Sequence, residues 1–237
     1  MKLFTSGCSL THQNCSWAYQ LANIKGYELH NYAFPCIGNG IIAKRLIYNL
    51  EKLNPNPEET IVGVMWSAPD RHEFYINEPK KLDNIDGWVD NPINVTENKN
   101  WFLVSPHWET KFSKNYYEEY HTTIGNFIRT IENILLVQSY LKNKGYRYFM
   151  TTMMNMFEIE NANIGLMIDN EEISYLYNLI DKEKFLPVRG CYNWVIDNLG
   201  KEGIVNPDIY DIHPNEYGHK TFTENVILPF LNNNQYL

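Results

Sequence analysis

Thr60-Ile61-Val62-Gly63-Val64-Met65-Trp66 decides the architecture of this chain. An almost unbroken apolar run has no polar face to offer water. It fits a strand covered on both sides, as in a parallel sheet wrapped by helices. Outward from this run the pattern alternates. Residues 2–6 read as a short buried strand, 28–33 as a second and 146–152 as a fourth. Between them lie helical stripes. Trp17, Leu21, Ala22 and Ile24 follow a candidate N-cap at Ser16 and stop at Gly26. Ile41, Ile42, Leu46, Ile47 and Leu50 follow the break at Gly38-Asn39-Gly40. Ile124, Phe127, Ile128, Ile131, Ile134, Leu135 and Leu141 run up to Gly145. Further helical segments fall near 170–181 and 190–199, and a last helix covers about 215–231. Strand–helix alternation predicts an α/β protein, a mainly parallel central sheet between helical layers, in a single domain over 1–237. Residues 67–120, rich in Asn, Pro, Trp and Tyr, break the pattern. They are too long for a plain loop and read as an irregular insertion over the site or at an interface.

The 237 residues carry a formal net charge of -8, which argues against a nucleic-acid or anionic-membrane partner. Met1 to Leu10 lack the basic and apolar regions of a signal peptide, and no window approaches the ~20 apolar residues of a membrane span. The four cysteines, Cys8, Cys15, Cys36 and Cys191, show neither a CxxC pair nor zinc spacing. They read as free thiols in a reducing compartment, so a cytoplasmic location is expected, with virion association left open. His72, His107 and His121 are too scattered to argue a metal site, and no metal or organic cofactor is expected.

Two remote segments carry chemistry. Gly7-Cys8-Ser9 follows the first strand, and Asp211-Ile212-His213-Pro214 lies near the end, followed by Asn215, Gly218 and His219. A serine hydroxyl is a poor nucleophile at neutral pH without a base, and a histidine base needs an acidic partner to hold its ring. In a parallel sheet, sites form at the carboxyl ends of strands. Ser9, Asn39 and Ser67 all follow predicted strands, so they belong on one rim.

On these residues the chain resembles the SGNH/GDSL hydrolases, esterases, lipases and carbohydrate deacetylases with a flavodoxin-like α/β/α sandwich. Gly7-Cys8-Ser9-Leu10-Thr11 looks like the family's first block, which makes Ser9 the nucleophile and its backbone N–H an oxyanion donor. Ala33-Phe34-Pro35-Cys36-Ile37-Gly38-Asn39 looks like the second, with Cys36 where the family has glycine. A cysteine there still donates its N–H, provided the backbone does not demand glycine. The resemblance makes His213 the base and Asp211 its partner, with Asp208 as fallback because the usual acid position holds Tyr210. The third block departs: Met65-Trp66-Ser67-Ala68-Pro69-Asp70-Arg71 lacks the family's oxyanion Asn. Ser67 or Arg71 substitutes for it, or Asn39 supplies the side-chain donor alone. Asn39 is equally a helix N-cap, Asp70 and Arg71 a surface pair, His219 a packing residue and Cys8 a buried thiol.

The expected function is hydrolysis of a short acyl ester, an O-acetyl group on a carbohydrate included, through Ser9, His213 and Asp211. The substrate-side residues are Cys36, Gly38, Asn39, Ser67 and Arg71. The expected partner is a small-molecule or glycan ester, and a homo-oligomer is left open. The competing class is a binding or structural protein that kept the fold and lost activity, motivated by the missing Asn. A thiol-dependent acyltransferase using Cys8 is the third.

Overall fold

Strand β1 (Lys2–Ser6) runs between two parallel neighbours, β2 (Glu28–Asn31) and β3 (Thr60–Trp66), in a computed structural model of the chain. The structure describes residues 1–75, 88–89, 101–106, 111–157, 170–209 and 211–236. Three further strands are β4 (His72–Tyr75), β5 (Trp88–Val89) and β6 (Trp101–Val104). The seventh, β7 (Arg147–Thr152), pairs parallel with β3, giving a four-stranded sheet in the order β2-β1-β3-β7. Phe185 bridges Met150 in parallel and extends this sheet by a stub. Every residue of β3 is buried, which is the condition its composition announces.

The helices divide between the two faces. On one, α3 (Asn39–Leu53) and α5 (Thr123–Lys144) pack Ile41, Ile42, Leu46, Ile131, Ile134 and Leu141 onto Phe4, Val62, Val64, Trp66 and Met150. On the other, α2 (Trp17–Lys25), α7 (Cys191–Leu199) and α8 (Glu216–Phe222) pack Trp17, Leu21, Val195 and Phe222 onto Leu3, Ile61, Met65 and Phe149. Among the described residues there are also the short helices α1 (Ser9–His12) and α4 (Lys111–Glu119), helix α6 (Glu171–Asn178), a π-turn at Thr223–Ile227 and α9 (Leu228–Asn233). The chain leaves β1 for β2 through α2 on one face and returns to β3 through α3 on the other. That reversal makes the C-terminal end of β1 the switch point, where such sheets open a crevice. Burial of these apolar faces is the dominant stabilising term, at ~1.5–3 kcal/mol per large side chain before entropy. Surface pairs such as Lys144–Glu51, 2.7 Å apart and exposed, add little beside it.

Several sequence expectations shift. Gly26 and Gly145 end their helices in the left-handed region, at φ 65° and 74°. Ser16 occupies the N-cap position of α2, but its hydroxyl donates to the Thr11 carbonyl instead of capping the helix. Ile24 and Ile124, both counted in the apolar stripes of their helices, are each 42% exposed. The last helix is interrupted by the π-turn. The described parts of 67–120 are ordered structure, not irregular coil: β4, β6 and β5 form an antiparallel sheet, and α4 packs against β6. Phe102, Val104 and Tyr116, backed by Phe74, Phe112 and Tyr117, make a small core of their own. His72 and His121 belong to it, in ring contact with Tyr116, while His107 and Trp108 lie outside the described residues. No described helix is long and apolar enough to cross a membrane.

Gly63 tests this packing. A Cβ there would stand 2.8 Å from the rings of Trp17 and Phe149, both fully buried and unable to swing aside. Gly63→Ala is therefore expected to destabilise the fold by ~1–3 kcal/mol, read from the urea midpoint. An unchanged midpoint would count against the described packing of Trp17 and Phe149 over Gly63.

Candidate active site

Gly7 turns the chain out of β1, and Cys8 goes down into the core with Sγ 3.8 Å from Met153 Sδ. Ser9 becomes the first residue of α1, half-buried, its hydroxyl on the rim side. Amides in the first turn of a helix lack intrahelical partners, so the N–H of Ser9 sits in a region suited to an anion. Trp17 Nε1 donates to Thr11 Oγ1, and the Thr11 carbonyl accepts from Ser16 and Asn31. These contacts hold α1 rigidly against α2 and β2.

The far end of the chain meets this turn. Residues 203–205 pair with 213–215: Val205 N–H donates to the His213 carbonyl, Asn215 N–H to Gly203, and Ile204 bridges Pro214. Asn215 caps α8 through the Gly218 N–H and donates to the Glu202 and Ile204 carbonyls. This short ladder fixes His213. Ser9 Oγ lies 2.8 Å from His213 Nε2, across 204 positions of sequence. Asp211 Oδ1 lies 2.5 Å from Nδ1 and accepts the His213 backbone N–H at 2.9 Å. Burial alone would raise the Asp211 carboxyl, but the His213 backbone and ring hold it below the usual carboxylate range, with help from Asn206. Asp208 is exposed, 3.5 Å from Lys201. Tyr210 lies outside the described residues.

The substrate-side residues separate into two kinds. Phe34 N–H donates to the Gly7 carbonyl and His12 Nδ1 is 3.0 Å from the Ala33 carbonyl, so the 33–38 segment runs alongside the Ser9 turn. Within it Cys36 has φ 64°, the left-handed region that favours glycine. Gly38 is the N-cap of α3, and Asn39 is the first residue inside it. Asn39 therefore does not cap the helix. Its Oδ1 accepts the Ser67 N–H at 2.8 Å, and Nδ2 donates to the Ser67 carbonyl and Thr130 Oγ1, both at 3.1 Å. Both amide hydrogens are engaged, so Asn39 ties the start of α3 to the end of β3 and to α5 and has no donor left for an oxyanion. The Ser67 hydroxyl is buried, accepting Arg71 Nη1 at 2.9 Å and facing Met153 Sδ. Arg71 thus bonds to Ser67, while the Asp70 carbonyl accepts the Tyr117 hydroxyl. Of the proposed third-block substitutes, Arg71 alone keeps donors to spare, because a guanidinium carries five.

Other groups fall outside the constellation. His219 is buried with neither ring nitrogen partnered, and burial, with His213 nearby, pushes it down to about 3. It is a neutral packing residue. Cys191 is buried and its thiol is pushed up by burial and by Cys8. Trp66 is core, and Met153 and Met156 fill the end of β7. All four cysteines are free. Among the described residues no three His, Cys, Asp or Glu side chains converge as a metal site. Sequence reasoning missed Glu73, whose carboxylate head is buried beside the first turn of α3 and is pushed up to about 7. No local signal marked it, because β4 is short and its neighbours are aromatic. A cavity of about 290 Å³ opens farther along the rim, lined by Thr151, Thr152, Asn155, Tyr177, Lys182 and Phe185 among others.

The backbone at Cys36 yields a signed expectation. Left-handed backbone costs a non-glycine residue ~1–2 kcal/mol, and Cys36 is exposed, so its side chain recovers little by packing. Cys36→Gly is expected to raise stability by up to ~1 kcal/mol after glycine's larger chain entropy is subtracted, and Cys36→Ala to leave it near wild type. The check is the urea midpoint of each variant.

No protein-family model matches the sequence, and no curated protein matches it. Solved structures do. Psychrotrophic esterase EstA from Pseudoalteromonas sp., in a structure inhibited by monoethylphosphonate, aligns over 98% of this chain and 98% of its own, at 13% identity and TM-score 0.51. TesA aligns over 98% of each chain at 14% identity and TM-score 0.51. A Bacillus subtilis protein covers 99% of this chain but only 56% of its own length is matched, at 11% identity and TM-score 0.52. Identities this low speak for architecture, and the architecture is the one described above: the chain has the SGNH/GDSL hydrolase fold.

Proposed function

We propose that this protein is a serine hydrolase of short acyl esters. The observation that carries the reading is the chain of contacts from Ser9 Oγ to His213 Nε2, 2.8 Å, and from His213 Nδ1 to Asp211 Oδ1, 2.5 Å. In this reading His213 takes the Ser9 proton as Oγ attacks the ester carbonyl, and Asp211, held ionised, steadies the imidazolium. The N–H groups of Ser9 and of the 36–38 segment, joined by Arg71, stabilise the oxyanion. His213 returns its proton to the departing alcohol. Water then attacks the acyl-enzyme with His213 again as base, releasing the acid and restoring Ser9.

The substrate class is a short acyl ester, with an O-acetylated carbohydrate the preferred case. β4 leads directly from the rim into the added sheet, where Tyr75, 57% exposed, meets Trp101 edge-on at 5.4 Å. Aromatic faces of this kind pack on pyranose rings. The rim cavity offers room for the remainder of such an alcohol. Nothing in this reading calls for nucleic acid, membrane or cofactor.

A fluorophosphonate probe and p-nitrophenyl acetate test it together. The wild type is expected to be labelled and to turn over; Ser9→Ala is expected to do neither while unfolding at the wild-type temperature. Turnover surviving in Ser9→Ala would move the chemistry to Cys8 or elsewhere, and an unlabelled wild type would favour a fold retained for binding. Asp211→Asn, which leaves the shape but removes the charge, is expected to lower kcat by roughly 10³–10⁴, measured with the same ester.

A further inference from the structure

Among the described residues, the proposed chemistry leaves the buried carboxyl group of Glu73 without a role. Glu73 sits on β4, and although the residue as a whole is half-buried, Oε1 is wholly out of solvent and lacks a hydrogen bond of standard geometry. The head points at the start of α3. A Cβ on Gly38 would lie 2.5 Å from Glu73 Oε1 and 2.8 Å from the Arg71 carbonyl, and one on Gly40 would lie 3.1 Å from Oε2. Glycine is thus needed at 38 so that the turn after β3 can press onto this backbone. The carboxylate faces the N–H groups of Gly38 and Ile41, and the positive charges of Lys44 on α3 and Arg129 on α5 are near enough to favour its ionised form. Cys36, two residues before Gly38, is the strained position, and strain persists only where surroundings over-determine it.

We infer that Glu73 is a positioning residue, whose buried carboxyl group pins the first turn of α3 and thereby fixes the Cys36–Gly38 backbone beside the Ser9 turn. The kinetic part of this inference rests on the hydrolase reading; the structural part does not. Glu73 touches no reacting atom. It acts through the amides of the 36–38 segment, and because oxyanion contacts count in the transition state, its loss lowers kcat more than it raises KM.

The pH behaviour follows by linkage. Burial outweighs the favourable Lys44, Gly38, Ile41 and Arg129 interactions and sets Glu73 at about 7, against 4.5 for an unperturbed glutamic acid. The folded arrangement holds the proton more tightly than the opened one. Its contribution is complete below about 4.5 and is lost as pH rises through about 7.

Three variants and two readouts test the inference on the full chain. With p-nitrophenyl acetate, Glu73→Ala is expected to lose about 10-fold or more in kcat with KM within about 3-fold. Glu73→Gln, which keeps the shape, restores most of it, and Glu73→Asp, one methylene short, does not. By hydrogen exchange, peptides spanning 34–42 open faster in Glu73→Ala than in wild type. Protection there falls in wild type, but not in Glu73→Gln, as pH crosses about 7. Wild-type kcat and exchange in Glu73→Ala would overturn the inference. Should Glu73→Ala not fold, Glu73→Asp with wild-type kcat and exchange overturns it equally. An unlabelled wild type with exchange altered as stated sinks the hydrolase reading and leaves the positioning role standing.

Discussion

β1 lies between β2 and β3, parallel to both, and its interior cannot be satisfied unless both neighbours are present. A buried strand must place every N–H and C=O in the ladder, because unpaired backbone groups away from water are costly. Once β1 is flanked in this way, the carboxyl ends of β1, β2 and β3 reach one rim. Ser9, the 33–38 segment and Ser67 follow from that geometry, since each begins where its strand stops. The reversal of winding at β1 parts the flanking helices just there, which leaves the crevice into which His213 descends.

What the sheet supplies by topology, local bonds then sharpen. Asn39 ties α3 to the end of β3 through three hydrogen bonds. Met153 brings its sulfur against Cys8, Ser67 and Ala68, so the end of β7 supports the turns after β1 and β3 from below. The 203–205 and 213–215 ladder carries Asp211 and His213 as one unit, and Asp211 bonds both the backbone and the ring of His213. The rim therefore consists of turns that are individually short and collectively rigid. The strained backbone at Cys36 is affordable only in such a setting.

Much of this was legible in the residues. Continuous burial of β3, the stripe of α3, the stripe of α5 apart from exposed Ile124, and the glycine ends of α2 and α5 are local consequences of apolar spacing and of glycine's freedom. The meeting of Ser9, His213 and Asp211 was also legible, because a serine after a first strand and an acid–His pair near the end both fall on the carboxyl rim of such a sheet, and their side chains are in contact. The misreadings have a common origin. Asn39 reads as a cap or a donor from its position at a helix start, but its amide is consumed by Ser67 and Thr130, which lie 28 and 91 positions away. The described strands within 67–120 went unread because runs of two to four residues are too short to display a period.

Local order, then, was written in the amino acids: which segments are strands, which faces of the helices are apolar, and which side chains are chemically able to attack, accept a proton or steady a charge. Partnership was not. That Glu73 ends beneath Gly38, that Asn39 is spent on Ser67, that Arg71 bonds Ser67, and that β4, β5 and β6 form a second sheet are decided only when distant segments are packed together. A sequence records propensities over a few residues, whereas a hydrogen bond between remote positions exists only after the chain has closed the loop between them.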